Sequence, residues 1–169
     1  PLNMNSSLIT ECYIGLGSNL EDPYAHVIDA LWDIDQIEHT DLVSFSSLYT
    51  SRPMGPQDQP PYVNAAACIH THLHAQDLLN ALQAIELAHG RVRKQEQWGP
   101  RTLDLDILVF GNQSINNQTL TVPHPGIAKR EFVLYPLHEL NKHLMIPHLG
   151  RIHRIKSRCY RNGLIQLQD

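Results

Sequence analysis

The residues most able to do chemistry lie between positions 91 and 106, in the stretch RVRKQEQWGPRTLDLD. On an extended strand, Asp104 and Asp106 project to the same face about 7 Å apart, and that face becomes apolar at Leu108 and Phe110. Two carboxylates at the start of a buried strand are costly unless a cation meets them. Mg²⁺ is the natural candidate, because it binds a couple of carboxylates together with water and substrate phosphates. Two ions roughly 3.5–4 Å apart could share both aspartates. The competing interpretation is a pair of aspartates that are hydrogen-bonded at a strand start or paired with an arginine.

The loop before the aspartates is basic and contains an indole. Residues 91–101 carry four basic groups and one acidic group, a local charge of +3. Arg91 and Arg101 could each make bidentate contacts with phosphate oxygens. Trp98 either fixes the loop or stacks on a ligand ring. A basic loop that faces two carboxylates predicts a pocket for a metal-bridged polyanion, the layout that phosphoryl transfer requires, while a solvated loop would explain the charge alone.

Four further residues are candidates for holding a flat ring or a phosphate. Tyr62 and Asn64 share one face of a predicted strand, and an aromatic ring with a carboxamide can hold a heterocycle by stacking and paired hydrogen bonds. A tyrosine at the edge of the core with a turn-capping asparagine fits the same residues. Phe132 is either the opposite wall of that site or a core residue. His124, between two prolines, is either a rigid phosphate contact or a lone surface histidine.

Several familiar signals are incomplete. The pair Gly15 and Gly17 lacks the third glycine of a dinucleotide fingerprint, because position 20 is leucine, and the chain contains no P-loop motif. Histidines at 70, 72 and 74 alternate along one strand and could chelate a transition metal, but a solvated or adventitiously metal-binding edge is favoured. Three cysteines without a CxxC pair indicate neither a disulfide framework nor a cysteine-based zinc site.

The elements that must position these residues alternate between strands and helices. Their order predicts an α+β fold with a mainly antiparallel, split βαβ sheet, in a single domain over 1–169. The predicted elements are a strand over 12–16, a helix from Asp22-Pro23 to about Ile37, strands over 42–49 and 62–74, a helix over 75–89, a strand over 103–110, a hairpin arm over 114–122 and a last strand over 132–137.

Composition limits the functional classes. The 169 residues are 42% hydrophobic and 18% charged, which excludes intrinsic disorder, and no apolar run approaches the ~20 residues of a membrane span. Residues 141–169 carry six basic groups and one acidic group. Apolar residues interleave with these charges, which favours a packed segment over a nucleic-acid site. We therefore expect a cytoplasmic protein with no membrane or nucleic-acid partner.

Longer blocks of sequence carry a family resemblance. The block WGPRTLDLDILVFG, preceded by GRVRK and followed by VPHP and FVLYPL, resembles the 6-hydroxymethyl-7,8-dihydropterin pyrophosphokinase family of folate biosynthesis. YIGLGSNL, GPQDQPPYVNAA and IELAHGRVRK match it as well, so the resemblance covers roughly residues 12–140. It implies a ferredoxin-like fold and transfer of the β,γ-pyrophosphoryl group of ATP to the pterin hydroxymethyl group, leaving AMP. We expect a monomer.

The resemblance also implies site residues. Asp104 and Asp106 would ligate two Mg²⁺ ions, and Arg91 and Arg101 would stabilise the transferring group from mobile loops. The pterin contacts it implies are Ser51, Met54, Tyr62, Asn64 and Phe132. The ATP contacts it implies are Gln83, Glu86, Arg93, Trp98, Ile107, Thr121, His124 and Arg130.

Three positions depart from the family pattern. Arg52 replaces a frequent proline, Gln97 replaces a basic residue before the tryptophan, and Thr119 replaces an arginine found in some members. These departures leave open an alternative of a different class, a catalytically impaired protein of the same fold that binds pterin and nucleotide.

Overall fold

The computed structural model describes residues 8–51, 61–90 and 102–167. The elements form an antiparallel sheet with helices on both faces and two small hairpins. In chain order they are β1 (Thr10–Ser18), α1 (Pro23–Asp35), β2 (Thr40–Phe45), β3 (Tyr49–Ser51), β4 (Tyr62–Thr71), α2 (Ala75–Gly90), β5 (Leu103–Phe110), β6 (Ile115–Asn116), β7 (Thr121–Val122), a 3-10 turn (Ile127–Lys129), α3 (Glu131–Leu140), β8 (Met145–Ile146), β9 (Gly150–Arg151), α4 (Ile152–Ser157) and β10 (Ile165–Gln166).

The main sheet has the ferredoxin-like strand order. Its four principal strands lie in the order β5-β1-β4-β2, and every neighbouring pair is antiparallel. β3 pairs with the start of β4, and β10 extends the sheet beyond β3. The predicted α+β fold with a mainly antiparallel sheet is therefore confirmed.

Alternation along β1 divides the core into two layers. Cys12, Ile14 and Leu16 point into a cluster that contains the buried residues of α1 and α2. Tyr13 points to the opposite face, into a second cluster built with α3 and α4. Residues two apart on a strand share a face, so Gly15 and Gly17 also lie on the α3 side of the sheet. Their missing side chains leave room on that face.

The helices that cover the first face follow the sequence signals. The side chain of Asp22 accepts a hydrogen bond from the Ala25 amide at 3.3 Å, and Pro23 occupies the first helical position of α1. Val27, Leu31 and Ile34 form the buried stripe that their spacing predicts. α1 ends at Asp35, two residues before the predicted end.

Two sequence predictions of strands need correction. The strand predicted over 42–49 is broken between β2 and β3, because buried Ser46 accepts from the Ala66 amide with its Oγ instead of continuing a regular ladder. The strand predicted over 132–137 is wrong, because those residues belong to α3. Leu134 and Leu137 are both fully buried, and their three-residue spacing packs a helix rather than a strand against the sheet.

The basic C-terminal segment is packed, as its interleaved apolar residues predict. Leu144, Ile146, Ile152 and Leu164 are buried. The hairpin predicted over 114–122 is also present as β6 and β7. Within the described ranges, no helix is both long enough and apolar enough to cross a bilayer.

Candidate active site

The two aspartates lie on one face of the edge strand β5. Asp104 and Asp106 are exposed, whereas Leu103, Leu105 and Ile107 between and beside them are buried. This arrangement confirms the prediction that both carboxylates share a face. The apolar continuation of that face differs from the prediction at Phe110.

A bulge in β5 changes the face of its last residues. Ile107 pairs with Ile14 and Val109 pairs with Tyr13, so Leu108 is an extra residue on β5. Leu108 and Val109 both join the second core cluster, while Phe110 joins the first. The expectation that Phe110 continues the aspartate face is therefore wrong, because a strict period of two does not survive the bulge.

The sheet register brings an asparagine and an aspartate into one row. Gly17 on β1 lies opposite Asn64 on β4 and opposite Asp104 on β5. Paired residues point to the same face, and neighbouring strands are about 4.8 Å apart, so the Cα atoms of Asn64 and Asp104 are about 10 Å apart. The carboxamide and the carboxylate thus lie in one row on the α3 side of the sheet.

Gly15 and Gly17 of β1 form a floor beneath the neighbouring side chains on that face. A Cβ atom at Gly17 would lie 2.9 Å from Asn64 Nδ2, and one at Gly15 would lie 3.2 Å from Leu108 Cδ2. The Gly17 position therefore needs glycine to accept the Asn64 side chain. The two glycines are part of a strand and not of a phosphate-binding turn, a role that the sequence pattern did not reveal.

The Asn64 side chain is held in one orientation. Asn64 is buried, and its Oδ1 accepts a hydrogen bond of 2.7 Å from Ser51 Oγ. Ser51 in turn pairs with Tyr62, which is half-buried at the start of β4. The structure thus brings together three of the residues predicted to contact a flat ring, Ser51, Tyr62 and Asn64.

A polar clamp fixes the start of β5. The side-chain Oδ1 of Asn19 accepts a hydrogen bond from the Thr102 backbone amide at 3.0 Å, and the Asn19 backbone amide donates to the Thr102 carbonyl at 3.2 Å. Thr102 Oγ1 then donates to Asp104 Oδ2 at 2.9 Å. Asn19 is therefore a positioning residue for Asp104. The one sequence signal for this role is the position of Asn19 directly after a strand.

The carboxylates of the site are electrostatically crowded. Desolvation raises the pKa of Asp104, the hydrogen bond from Thr102 opposes this, and the charge of Asp106 raises it further. Within the described ranges, no lysine or arginine forms an ion pair with either aspartate, and His124 Nε2 lies 4.0 Å from Asp106 Oδ2. Bringing a cation to this pair would relieve the repulsion.

A third acid from α2 borders the open edge of β5. Glu86 Oε2 accepts from the Leu105 amide at 2.8 Å. Desolvation raises the pKa of Glu86, the Leu105 hydrogen bond lowers it, and the two aspartates raise it. Gln83, predicted to contact the same ligand, is exposed one turn earlier on α2.

Ile107 can offer a ligand only its backbone. Its side chain is buried in the first core cluster. The amide of Leu105 points away from β1 toward Glu86, and backbone groups two residues apart point the same way. The amide and carbonyl of Ile107 therefore point outward from the edge of the sheet, where a planar ring could pair with them.

His124 is oriented by the backbone around it. Its amide donates to the Leu108 carbonyl at 3.0 Å, and its Nδ1 accepts from the Gly126 amide at 3.0 Å. A neutral ring therefore carries its proton on Nε2, the atom that faces Asp106. Desolvation lowers the pKa of His124, Asp106 raises it and Arg130 lowers it.

Arg130 and Phe132 lie together where α3 begins. The Arg130 guanidinium is 6.0 Å from the centre of the Phe132 ring. A Cβ atom at Gly126 would lie 2.8 Å from Arg130 Nε, so the arginine packs across that glycine. Thr121 lies in β7, which contacts β5, and its exposed hydroxyl is 3.5 Å from Asn116 Oδ1.

The remaining predicted site residues lie outside the described residues. They are Met54, Arg91, Arg93, Trp98 and Arg101.

The sequence of this chain matches a known protein family. The model of the 7,8-dihydro-6-hydroxymethylpterin-pyrophosphokinase (HPPK) family matches residues 13–142. The chain belongs to the HPPK family. Membership confirms the expected reaction, in which a pyrophosphoryl group passes from ATP to hydroxymethyldihydropterin in folate biosynthesis.

Relatives agree with HPPK membership, and a solved structure agrees with the fold. A 2-amino-4-hydroxy-6-hydroxymethyldihydropteridine pyrophosphokinase from Haemophilus influenzae is 52% identical over 155 residues, which cover 92% of this chain and 96% of the relative. One from Pseudomonas aeruginosa is 46% identical over 160 residues, covering 95% and 98%. The crystal structure of Plasmodium falciparum HPPK-DHPS has a TM-score of 0.67 at 11% identity, covering 89% of this chain and 41% of that one, and it supports the fold alone.

Proposed function

We propose that the chain transfers pyrophosphate from ATP to 6-hydroxymethyl-7,8-dihydropterin with Mg²⁺ held at Asp104 and Asp106. The observation that carries this proposal is the row formed by Asn64, Gly17 and Asp104. It places the oriented carboxamide of Asn64 and the carboxylate of Asp104 on one face of the sheet, with their Cα atoms about 10 Å apart. A ring at Asn64 would direct its substituent toward phosphates at the aspartates.

The pterin side of the site follows from the fixed carboxamide. Because Ser51 occupies Asn64 Oδ1, the Asn64 amide group can donate to an acceptor of the pterin ring. Tyr62 and Phe132 would enclose the ring from its two faces, with Ser51 and Met54 completing the pocket. The Gly17 floor supports this arrangement, because a larger residue would displace the carboxamide.

The donor set suits magnesium. Asp104 and Asp106 offer hard carboxylate oxygens, and desolvation together with the charge of Asp106 raises the pKa of Asp104, so a bound cation would stabilise its ionised form. Two Mg²⁺ ions bound there would neutralise charge on the triphosphate. Arg91 and Arg101, which precede β5 in the sequence, would add to this neutralisation.

The reaction itself is mainly a matter of positioning. The pterin hydroxyl oxygen bonds to the β-phosphorus of ATP, the bond from that phosphorus to the α–β bridging oxygen breaks, and the hydroxyl proton is lost. AMP and the pterin diphosphate are the products. The residues hold the two reactants in line and keep water away, as expected for a phosphoryl transfer with little covalent participation by the protein.

The nucleotide would lie along the open edge of β5. The outward backbone of Ile107 can pair with the adenine ring, and the Nε2 proton of His124 can be donated to a phosphate oxygen. The other ATP contacts that we propose are Gln83, Glu86, Arg93, Trp98, Thr121 and Arg130.

We further propose that the protein acts as a monomeric, single-domain enzyme of the cytoplasm, without nucleic-acid or membrane partners. Its three cysteines are free thiols, which suits a reducing compartment.

Product analysis tests the proposed reaction. The protein is incubated with ATP, Mg²⁺ and hydroxymethyldihydropterin, and the nucleotides are separated. We expect AMP whose formation depends on the pterin and on Mg²⁺. ADP as the product would contradict pyrophosphoryl transfer, and saturable binding of both substrates without AMP would favour the catalytically impaired alternative.

A matched pair of variants tests the aspartates. Asp104→Ala should reduce turnover by about 100-fold or more, because it removes charge stabilisation at the transferring group. Asp29→Ala changes an exposed aspartate on α1 and should leave turnover unchanged. Near-normal turnover in Asp104→Ala would overturn the assignment.

A further inference from the structure

A second group of metal-binding side chains lies at the other end of the sheet. Glu11 on β1 pairs with His70 on β4, and Tyr13 pairs with Cys68 on the same two strands. A carboxylate oxygen of Glu11, the sulfur of Cys68 and a ring nitrogen of His70 all lie within 4.8 Å of one another. The Glu11 Oε2 to His70 Nε2 distance is 3.2 Å.

Hydrogen bonds hold the Glu11 carboxylate in place. Tyr13 Oη donates to Glu11 Oε1 at 2.9 Å, and Asn141 Nδ2, at the end of α3, donates to Tyr13 Oη at 3.0 Å. One carboxylate oxygen is thereby oriented while the other faces His70. Outer-shell hydrogen bonds of this kind orient the ligands of protein metal sites.

We propose that Glu11, Cys68 and His70 form a binding site for a zinc-class transition-metal ion. A thiolate, an imidazole and a carboxylate together are a set of ligands that Zn²⁺ favours and Mg²⁺ does not. Bonds of about 2.0–2.3 Å to a tetrahedral ion place donor atoms roughly 3.5 Å apart, so these three donors need to approach by little more than about 1 Å. Binding releases the Cys68 thiol proton to solvent.

The site is reachable by an ion and separate from the aspartates. The side chains of Glu11 and His70 are 52% and 41% exposed, so solvent can supply the fourth ligand. His70 lies six positions after Asn64 on β4, a distance of about 20 Å. The sequence analysis placed His70, His72 and His74 on one face of a strand, but β4 ends at Thr71. The partners of His70 are instead Cys68 on the same strand and Glu11 on β1.

Cobalt titration of the metal-free full chain tests the site. Co²⁺ bound by a thiolate gives a sulfur-to-metal charge-transfer absorption, which neither the aspartates nor a histidine pair can produce. We expect one equivalent of Co²⁺ to give this band and Zn²⁺ to abolish it by displacement. Zn²⁺ should also raise the Tm, because it binds the folded form.

Variants assign the band to the three ligands. Cys68→Ser should abolish it, and His70→Gln and Glu11→Gln should each weaken Zn²⁺ binding by about tenfold or more. Cys159→Ser and His74→Gln are the matched controls, and both should keep the band. If Cys68→Ser does not fold, His70→Gln, which changes a partly exposed side chain, carries the test.

Two results would overturn the proposal. One is the absence of the charge-transfer band in the wild-type chain at saturating Co²⁺, which would leave Glu11 and His70 as an ordinary hydrogen-bonded pair. The other is a band that survives Cys68→Ser or is lost in Cys159→Ser. Turnover with saturating Mg²⁺ and ATP should be the same in His70→Gln and wild type.

Discussion

Replacing Gly17 with alanine tests the geometry of the pterin site. The new Cβ atom would lie 2.9 Å from Asn64 Nδ2, where an ordinary contact needs about 3.4–4 Å. Asn64 is buried and its other end is bonded to Ser51 Oγ at 2.7 Å, so the carboxamide cannot simply turn away. Relief of the clash requires a displacement of the Asn64 side chain by roughly 0.5–1 Å.

A displacement of this size should act mainly on the pterin. Misplacement of a positioning group by about 1 Å can cost a factor of about 100, so we expect kcat/KM for the pterin to fall about 10- to 100-fold. Overpacking should also reduce the free energy of unfolding by about 1–3 kcal/mol. Steady-state kinetics with each substrate varied, together with urea denaturation, measure both effects.

Gly15→Ala provides the matched control. Its Cβ atom would meet Leu108 Cδ2 at 3.2 Å, a flexible apolar side chain that can shift, so stability should fall while pterin kinetics change little. Equal pterin kinetics in Gly17→Ala and wild type, with both proteins folded, would refute the role given to Asn64.

Three other changes test separate parts of the site. Asp104→Asn should raise the Tm at neutral pH, because the fold raises the pKa of that carboxyl and so disfavours its ionised form. The gain in Tm over wild type should disappear as the pH falls through the raised pKa. A Tm below that of wild type at neutral pH would contradict this. Asn19→Ala should reduce the free energy of unfolding by about 1–3 kcal/mol and lower kcat, since Thr102 loses its clamp; unchanged urea midpoints would contradict the clamp. His124→Ala should raise KM for ATP with little effect on KM for the pterin, and a change confined to the pterin would contradict the phosphate contact.

The sequence predicted those features that depend on local periodicity. A period of two correctly placed Asp104 and Asp106 on one face, and the apolar spacing of Val27, Leu31 and Ile34 correctly gave the buried stripe of α1. The predicted order of strands and helices was enough for the α+β fold. Each of these features is set by residues close together in the chain.

Features that depend on tertiary packing were missed or predicted wrongly. Residues 132–137 are rich in aromatic and β-branched types, yet burial of Leu134 and Leu137 against the sheet selects a helix. The bulge at Leu108 moved Phe110 to the other face, since only the pairing with β1 reveals an extra residue. The floor made by Gly15 and Gly17 also required the register of three strands.

A crystal structure with Mg²⁺, a non-hydrolysable ATP analogue and the pterin tests the central claim most directly. We predict Mg²⁺ coordinated by the carboxylates of Asp104 and Asp106 and by phosphate oxygens, with the pterin ring hydrogen-bonded to Asn64 on the same face of the sheet. Carboxylates bound to neighbouring guanidinium groups, with no ion between them and the nucleotide, would contradict it.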